Sequence, residues 1–474
     1  MTPLRGLIRA VERIESLQAA GTVTSLRGLT LLVEGLPATV GTVVTIEGAQ
    51  SHGAAPKFQK RAEVVGFDAG RSIVMMLDDA AGVRPGDRVI TRDFAAGVRV
   101  GRTLLGRVVN GMGEPIDGRG PIRHTTFRSV IAEPLSAMKR RPIREVLPTG
   151  VRAIDLMTTV GKGQRIGIFA GPGVGKSTML SMLARRASSD VNVIALVGER
   201  GREVRDFIDH ALGEEGMRRS IVVVATSDEA PRMRVRAVSV ACALAEHFRD
   251  QGLDVMFMLD SVTRLAHAQR QVGLAVGEPP ATKGYTPSVF SLLPGVLERA
   301  GAVEADHAAA RRAGSVTGFY AVLVEGDDLT EPVSDAVRGI LDGHIVLSRK
   351  LAHKAHYPAI DVLESISRVA NEIITPAHRA ARDRVLRLLA AHRDVDELIQ
   401  IGAYAPGSSP SADAAIRLKP RIDALLRQGV DEVTPMDEAR EELLRLAKEA
   451  ETLESSPARP GAPRAGSSAA PVAG

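Results

Sequence analysis

Residues 170–178 read Ala-Gly-Pro-Gly-Val-Gly-Lys-Ser-Thr, a spacing of glycines ahead of a lysine and a hydroxyl that suits a chain of phosphates. Gly171, Gly173 and Gly175 let the backbone curl until successive N–H groups converge on anionic oxygens, and the loop runs into a helix whose amino end favours negative charge. Pro172, Val174 and Thr178 belong to the same loop. Lys176 is placed to reach the β- and γ-phosphates and Ser177 to ligate Mg²⁺, so the chain is expected to bind a nucleoside triphosphate with its magnesium ion. The first glycine of G-x-x-x-x-G-K-[ST] is Ala170 here. A methyl group is tolerable at that position if the residue has ordinary strand geometry.

The flanking elements fit this use. Arg165–Phe169 is a short apolar run ending at the loop, and Met179, Leu180, Met182 and Leu183 follow at helical spacing. Further runs at Val191–Val197, Ile221–Ala225, Asp254–Leu259 and Ser315–Val324 alternate with longer helical segments, which predicts an α/β core with a mostly parallel sheet covered by helices. The loop then sits at the carboxyl end of a strand, where such sheets bind ligands. Phosphate hydrolysis also needs a held magnesium ion, an oriented water and positive charge on the transferring group. Val255–Leu259 ends in Asp260, from which a carboxylate can hold the magnesium shell opposite the loop. Ile194–Val197 runs into Gly198-Glu199-Arg200-Gly201-Arg202-Glu203, where Glu199 could polarise the attacking water. Composition alone would favour a simple loop ion pair between Glu199 and Arg200.

Composition bounds the rest. The chain has 474 residues, 44% hydrophobic and 25% charged, ordinary for a globular protein of two or three domains. A net charge of +5 is mild for this length and argues for neither nucleic acid nor membrane as partner. Aromatics are 3% and Trp is absent, which limits any stacking surface. The lone Cys242 lies in an apolar helical segment, so no disulfide framework is expected and a reducing compartment is the natural reading. Arg5, Arg9, Glu12, Arg13 and Glu15 interrupt any secretory signal, and no apolar run is long enough for a transmembrane helix. The expected place of action is the cytoplasm or the surface of its membrane.

Residues 1–20 are expected to form an amphipathic docking helix, with Leu4, Leu7, Ile8, Val11, Ile14 and Leu17 on one face. That stripe either packs on its own domain or docks on a partner. Residues 21–98 have the texture of a small β-barrel, with strands at Val43–Ile46, Ile73–Met76 and Arg88–Thr91. Only Phe58, Phe67 and Phe94 could stack on bases there, which disfavours a single-strand-binding groove. Residues 99–374 carry the phosphate loop, residues 375–452 turn helical, and residues 453–474, rich in Pro, Ala, Gly and Ser, are expected to be disordered.

Beyond the loop, the segments Gly198–Glu203, Met258–Arg264, Gly277–Tyr285, Leu297–Gly301 and His356–Asp361 together resemble the ATPases of type III protein export. That family is related to the catalytic subunits of rotary ATP synthases. The resemblance covers roughly residues 20–450 and implies a RecA-like P-loop core, preceded by the β-barrel and followed by a C-terminal helical domain. By analogy Lys176 and Ser177 bind phosphate and magnesium, Asp260 holds magnesium and Glu199 activates water. Arg200 and Arg264 line the phosphate site, and Tyr357 contacts adenine. Leu398–Tyr404 and Val324–Asp328 lean toward the flagellar branch over host-directed injection systems.

Ser365-Ile366-Ser367-Arg368-Val369 resembles the segment by which the noncatalytic synthase subunit lends an arginine finger to its neighbour. Here Glu199 and Arg368 share one chain, which implies a head-to-tail homohexamer. The family further implies a regulatory stator protein on the N-terminal helix, a central stalk protein, an export gate and chaperone–substrate complexes as partners. It places the ring peripherally at the inner face of the cytoplasmic membrane. The rivals are a ring-shaped RNA translocase and a noncatalytic nucleotide-binding ring subunit. The poverty of aromatics argues against the first and Glu199 against the second.

Overall fold

The computed structural model describes residues 19–48, 58–91, 96–131, 135–305, 313–324, 326 and 328–455. The docking helix expected over 1–20 lies outside them except for Ala19 and Ala20, which open a strand. Phe94, Glu325 and Asp327 also lie outside, as does the expected tail from residue 456 onward.

Six strands come first: β1 (Ala19–Arg27), β2 (Thr30–Glu34), β3 (Val43–Glu47), β4 (Gln59–Asp68), β5 (Arg71–Met76) and β6 (Arg88–Thr91). They close into a barrel in the order β1-β2-β5-β4-β3-β6. Period-two alternation turns Val23, Leu31, Val33, Val44, Ile46, Val64, Val74 and Val89 into one core. Closure leaves no bare strand edge to recruit another chain. The β4–β5 hairpin turns through Ala69 and Gly70, both at positive φ (44° and 78°), the twist that tight hairpins require. The barrel ends at Thr91, earlier than the expected boundary at residue 98. The next strand, β7 (Gly97–Val100), leaves the barrel and pairs with β9 (Thr126–Ser129). Its Val98 and Val100 alternate like a barrel strand, so its pattern could not reveal its partner.

The central sheet adds β8 (Val108–Asn110), β10 (Arg165–Ala170), β11 (Val191–Val197), β12 (Ser220–Ala225), β13 (Asp254–Asp260), β14 (Gly301–Ala302), β15 (Ser315–Leu323), β16 (Gly343–Leu347) and β17 (Ile366–Ser367). Its order is β17-β16-β10-β15-β13-β11-β12-β8, with β14 on β15. Only β14 and β17 run antiparallel. Every residue of β11 and β12 is buried, because a parallel sheet is covered on both faces and its strands read as continuous apolar runs. On one face α1 (Lys176–Arg186) contributes Met179, Leu180, Met182 and Leu183. On the other, α2 (Pro231–Arg249) supplies Val235, Val238, Leu244 and Phe248, and buries Cys242 as a structural thiol. Two further helices, α3 (Val262–Ala275) and α4 (Pro287–Leu297), continue that layer.

Three helices finish the chain: α5 (Pro376–Gln400), α6 (Pro410–Leu426) and α7 (Met436–Ser455). Pro376 and Pro410 stand in the first turns of their helices, and the hydroxyls of Thr375 and Ser409 accept from the N–H groups of His378 and Ala412 at 3.3 Å each. Leu388, Leu418, Ile422, Leu443 and Leu446 interlock and continue the core beneath α1. Because α7 runs to Ser455, Leu453–Ser455 are helical and the expected tail boundary at 453 falls three residues early.

A buried charge cluster joins barrel to sheet. Glu63 on β4, 2% exposed, lies 2.6 Å from Arg232 and 3.5 Å from Arg236 of α2, and Arg236 is itself 3% exposed. Glu63→Ala leaves Arg236 buried without its counter-charge, so urea denaturation is expected to show a loss of about 3 kcal/mol. A parent-like denaturation curve would remove the latch role.

Candidate active site

Ala170 closes β10, aligned with Leu323 of β15 and Leu347 of β16 and 1% exposed, so the methyl in place of glycine sits in a strand. Gly173 and Gly175 take φ of 77° and 93°, a region other residues enter at a cost. Val174 between them is buried and pins the loop to the core. Gly171 is buried, Pro172 is exposed, and Ser177 and Thr178 are exposed on the first turn of α1.

Two neighbouring strands deliver the carboxylates. Asp260 is the last residue of β13, and Glu199 follows β11 after Gly198, whose φ of 72° turns the chain. Gly198 also makes room: a Cβ there would lie 3.0 Å from the side chain of Arg264. Arg264 is set by the start of α3, where the Ser261 hydroxyl accepts from its N–H at 3.3 Å. Its guanidinium donates to the Gly198 carbonyl at 2.8 Å and lies 2.5 Å from Glu199. The Lys176 ammonium bonds both oxygens of Asp260 and lies 3.7 Å from Glu199. Two cations and two carboxylates thus neutralise one another with little water, since the side chains of Lys176, Glu199 and Asp260 are about one-tenth exposed.

Burial pushes the Glu199 carboxyl above the usual glutamate range, and its hydrogen bond to Glu203 adds to this against the opposing pull of Arg264 and Lys176. Glu203 moves the other way, held low first by accepting that hydrogen bond. The sequence motif by itself assigns Glu203 no role. Its place four residues beyond Glu199, at the start of a helix, is the signal that could have found it.

The other expected residues divide. Arg200 does not join the cluster: its side chain is three-quarters exposed and sits 3.5 Å from Glu203, because the following helix (Gly201–Asp206) carries it outward. The simple pair of Glu199 with Arg200 is not formed either; Glu199 takes Arg264 and Lys176 instead. Tyr357 is half exposed, and its ring lies 3.6 Å from where a Gly175 Cβ would stand. Its carbonyl accepts from the Gln428 N–H at 2.9 Å. Gln428, buried between domains, also accepts from the Arg152 N–H at 2.8 Å and donates to the Gly150 carbonyl at 2.9 Å. No local pattern marks that residue, which is 276 positions from Arg152. Arg368 is exposed beyond β17, and its N–H bonds Asp342 at the opposite, amino end of the sheet. Among the described residues no group of three metal-ligating side chains forms, and no helix is long and apolar enough to cross a membrane.

Residues 150–367 match the ATP synthase alpha/beta family, nucleotide-binding domain, and residues 374–445 match the T3SS EscN ATPase C-terminal domain. A flagellum-specific ATP synthase of Bacillus subtilis is 49% identical over 92% of this chain and 97% of its own. The chain belongs to the type III export ATPase family. A type 3 secretion system ATPase of Xanthomonas euvesicatoria is 46% identical over 91% of this chain and 94% of its own. The assembled ATPase EscN of enteropathogenic E. coli superposes on this export ATPase with a TM-score of 0.82 at 39% identity, covering 90% of this chain and 100% of EscN. EscN in complex with its central stalk EscO superposes at 0.81, with 39% identity and the same coverage. The superpositions cover 90% of this chain, so the family architecture is shared over most of its length.

Proposed function

We propose that the chain hydrolyses ATP in a head-to-tail homohexameric ring that energises export of unfolded flagellar proteins. The observation that carries this reading is the convergence of Lys176, Glu199, Asp260 and Arg264 at the strand ends, with Arg368 of the same chain at the far end of the sheet. Among the described residues Arg264, the arginine within the cluster, is engaged by Glu199 and the Gly198 carbonyl, which leaves Arg368 of a neighbouring copy to serve the phosphate in transit. Assembled EscN supports the ring, and its EscO complex supports a central stalk partner here. Matches to flagellar relatives favour that branch, and an injection system remains the alternative. An N-terminal stator contact, the export gate, chaperone–substrate complexes and a peripheral position on the membrane belong to the same proposal.

Arriving phosphates compete with Asp260 for Lys176. The ammonium moves to the β- and γ-phosphate oxygens and releases the Asp260 carboxylate. Ser177 and Asp260, a hydroxyl and a carboxylate, are hard oxygen donors suited to Mg²⁺, which when bound neutralises phosphate charge. Tyr357 offers an exposed face for adenine beside Gly175. Glu199 accepts the proton of the attacking water as the new P–O bond forms and the bond to ADP breaks. Arg264 holds that carboxylate in place, and Arg200 serves at the rim.

Glu199→Gln keeps the shape but cannot take the proton, so turnover is expected to fall about 10²- to 10⁴-fold with ATP binding retained. A fully active variant would refute the role. Because Glu199 titrates above the ordinary range, the acid limb of the rate profile is expected at correspondingly high pH. Glu203→Ala removes one of the interactions that raise it, so the limb should move to lower pH; a limb that stays or rises contradicts the pairing. The branch is tested by complementing a Bacillus subtilis strain that lacks its flagellar ATPase. Restored swimming supports flagellar export, whereas an active enzyme that leaves the cells immotile points to the injection system.

A further inference from the structure

Arg368 is exposed and forms no ion pair among the described residues, yet the backbone beneath it is held tightly. The hub is Gln164, fully buried at the foot of β10. Its amide oxygen accepts from the Gly161 N–H at 2.9 Å, and its amide nitrogen donates to the Asp342 carbonyl at 3.2 Å and to the Ser367 hydroxyl at 3.0 Å. The Ser367 hydroxyl in turn donates a hydrogen bond to the Thr159 carbonyl at 2.8 Å. The same Asp342 carbonyl accepts the Arg368 N–H at 2.9 Å. The Asp342 carboxylate is gripped by Arg165, whose guanidinium donates to its two oxygens at 2.9 and 2.8 Å. A buried amide using its acceptor and both donors in this way leaves the segment one position.

From this geometry we infer that Gln164, with Ser367 and Asp342, is a positioning residue for Arg368 and acts on catalysis in the neighbouring subunit's site. The inference rests on the proposal that Arg368 serves the next copy. Gln164 touches no residue of its own phosphate loop: β10 separates them by six residues, about 20 Å of extended chain. The bland alternative is that Gln164 merely closes the Gly161–Gln164 turn, which its bond to Gly161 would serve. That role needs neither of the bonds to Asp342 and Ser367. A turn-closing residue would also act only within its own chain.

The test uses Gln164→Leu and Ser367→Ala full-length rings. Freeing Arg368 to drift by an ångström is expected to lower kcat about 10- to 100-fold for Gln164→Leu, less for Ser367→Ala, with nucleotide affinity unchanged. Each variant is then mixed with excess Lys176→Ala subunits, which cannot hydrolyse but still lend an intact Arg368. Single-turnover hydrolysis per variant subunit should return to within about twofold of wild type. Arg368→Ala in the same mixture is the control and should be rescued too. If that control is not rescued, the shared-site proposal falls and this inference with it. If Arg368→Ala is rescued while Gln164→Leu and Ser367→Ala are not, the shared site stands and the inference alone is overturned. Should Gln164→Leu fail to fold, the milder Ser367→Ala decides by the same pattern.

Discussion

The Lys176 ammonium, held between the carboxylates of Asp260 and Glu199, is the interaction on which the architecture depends. It can form only if three strands end at compatible heights. The register pairs Leu196 with Asp260, Asp260 with Ala321 and Leu323 with Ala170. A slip of one residue would turn Asp260 to the opposite face of the sheet. Register is held by packing on both faces: Ile194 and Leu196 enter one core and Val191, Val193, Ala195 and Val197 the other, so a shifted pairing would have to repack both layers. The catalytic geometry is therefore a consequence of core packing several residues away.

The same cluster explains why the site can rest without substrate. An isolated buried lysine would be costly, as would a buried glutamate. Together they satisfy one another, and Arg264 supplies the fourth charge. A triphosphate tail, with several negative charges, would offer Lys176 a stronger partner than one carboxylate, so binding would rearrange a network that already exists. Burial and the hydrogen bond with Glu203 push the Glu199 carboxyl up while Arg264 and Lys176 pull it down, so its charge is set by the same cluster.

Elements were legible in the sequence where the pattern was long and local. The loop, β11, β12, β13 and the segment from β10 into α1 were readable because apolar runs and glycine spacing are encoded within a dozen residues. Asp260 and Glu199 followed from strand ends. What stayed hidden was the partner of each piece: β7 alternates like a barrel strand but pairs with β9, and β8 and β16 are too short to stand out. The family resemblance named Arg200 beside the phosphates, yet its helix carries it to solvent. Gln164 and Gln428 were invisible because a glutamine's three hydrogen-bond functions have meaning only once distant carbonyls are brought to it. Polar residues that latch domains leave no periodic trace.

Strand β10 links these observations. Its carboxyl end carries the phosphate loop, and its amino end carries Arg165, which with Gln164 holds the Arg368 segment. Between them lie four residues, all paired to β15 and three of them, from Gly167 onward, also to β16. A strand so enclosed shifts as a unit, since its neighbours are close-packed. The loop and the Arg368 segment are thus anchored at opposite ends of one strand, and the sheet fixes their separation. The exposed face of Tyr357 and the Gln428–Arg152 latch give the C-terminal helices a second handle on the same loop. On the proposed ring reading, nucleotide occupancy in one subunit would have two physical routes outward, one through the sheet to its neighbour and one through Gln428 to the helices.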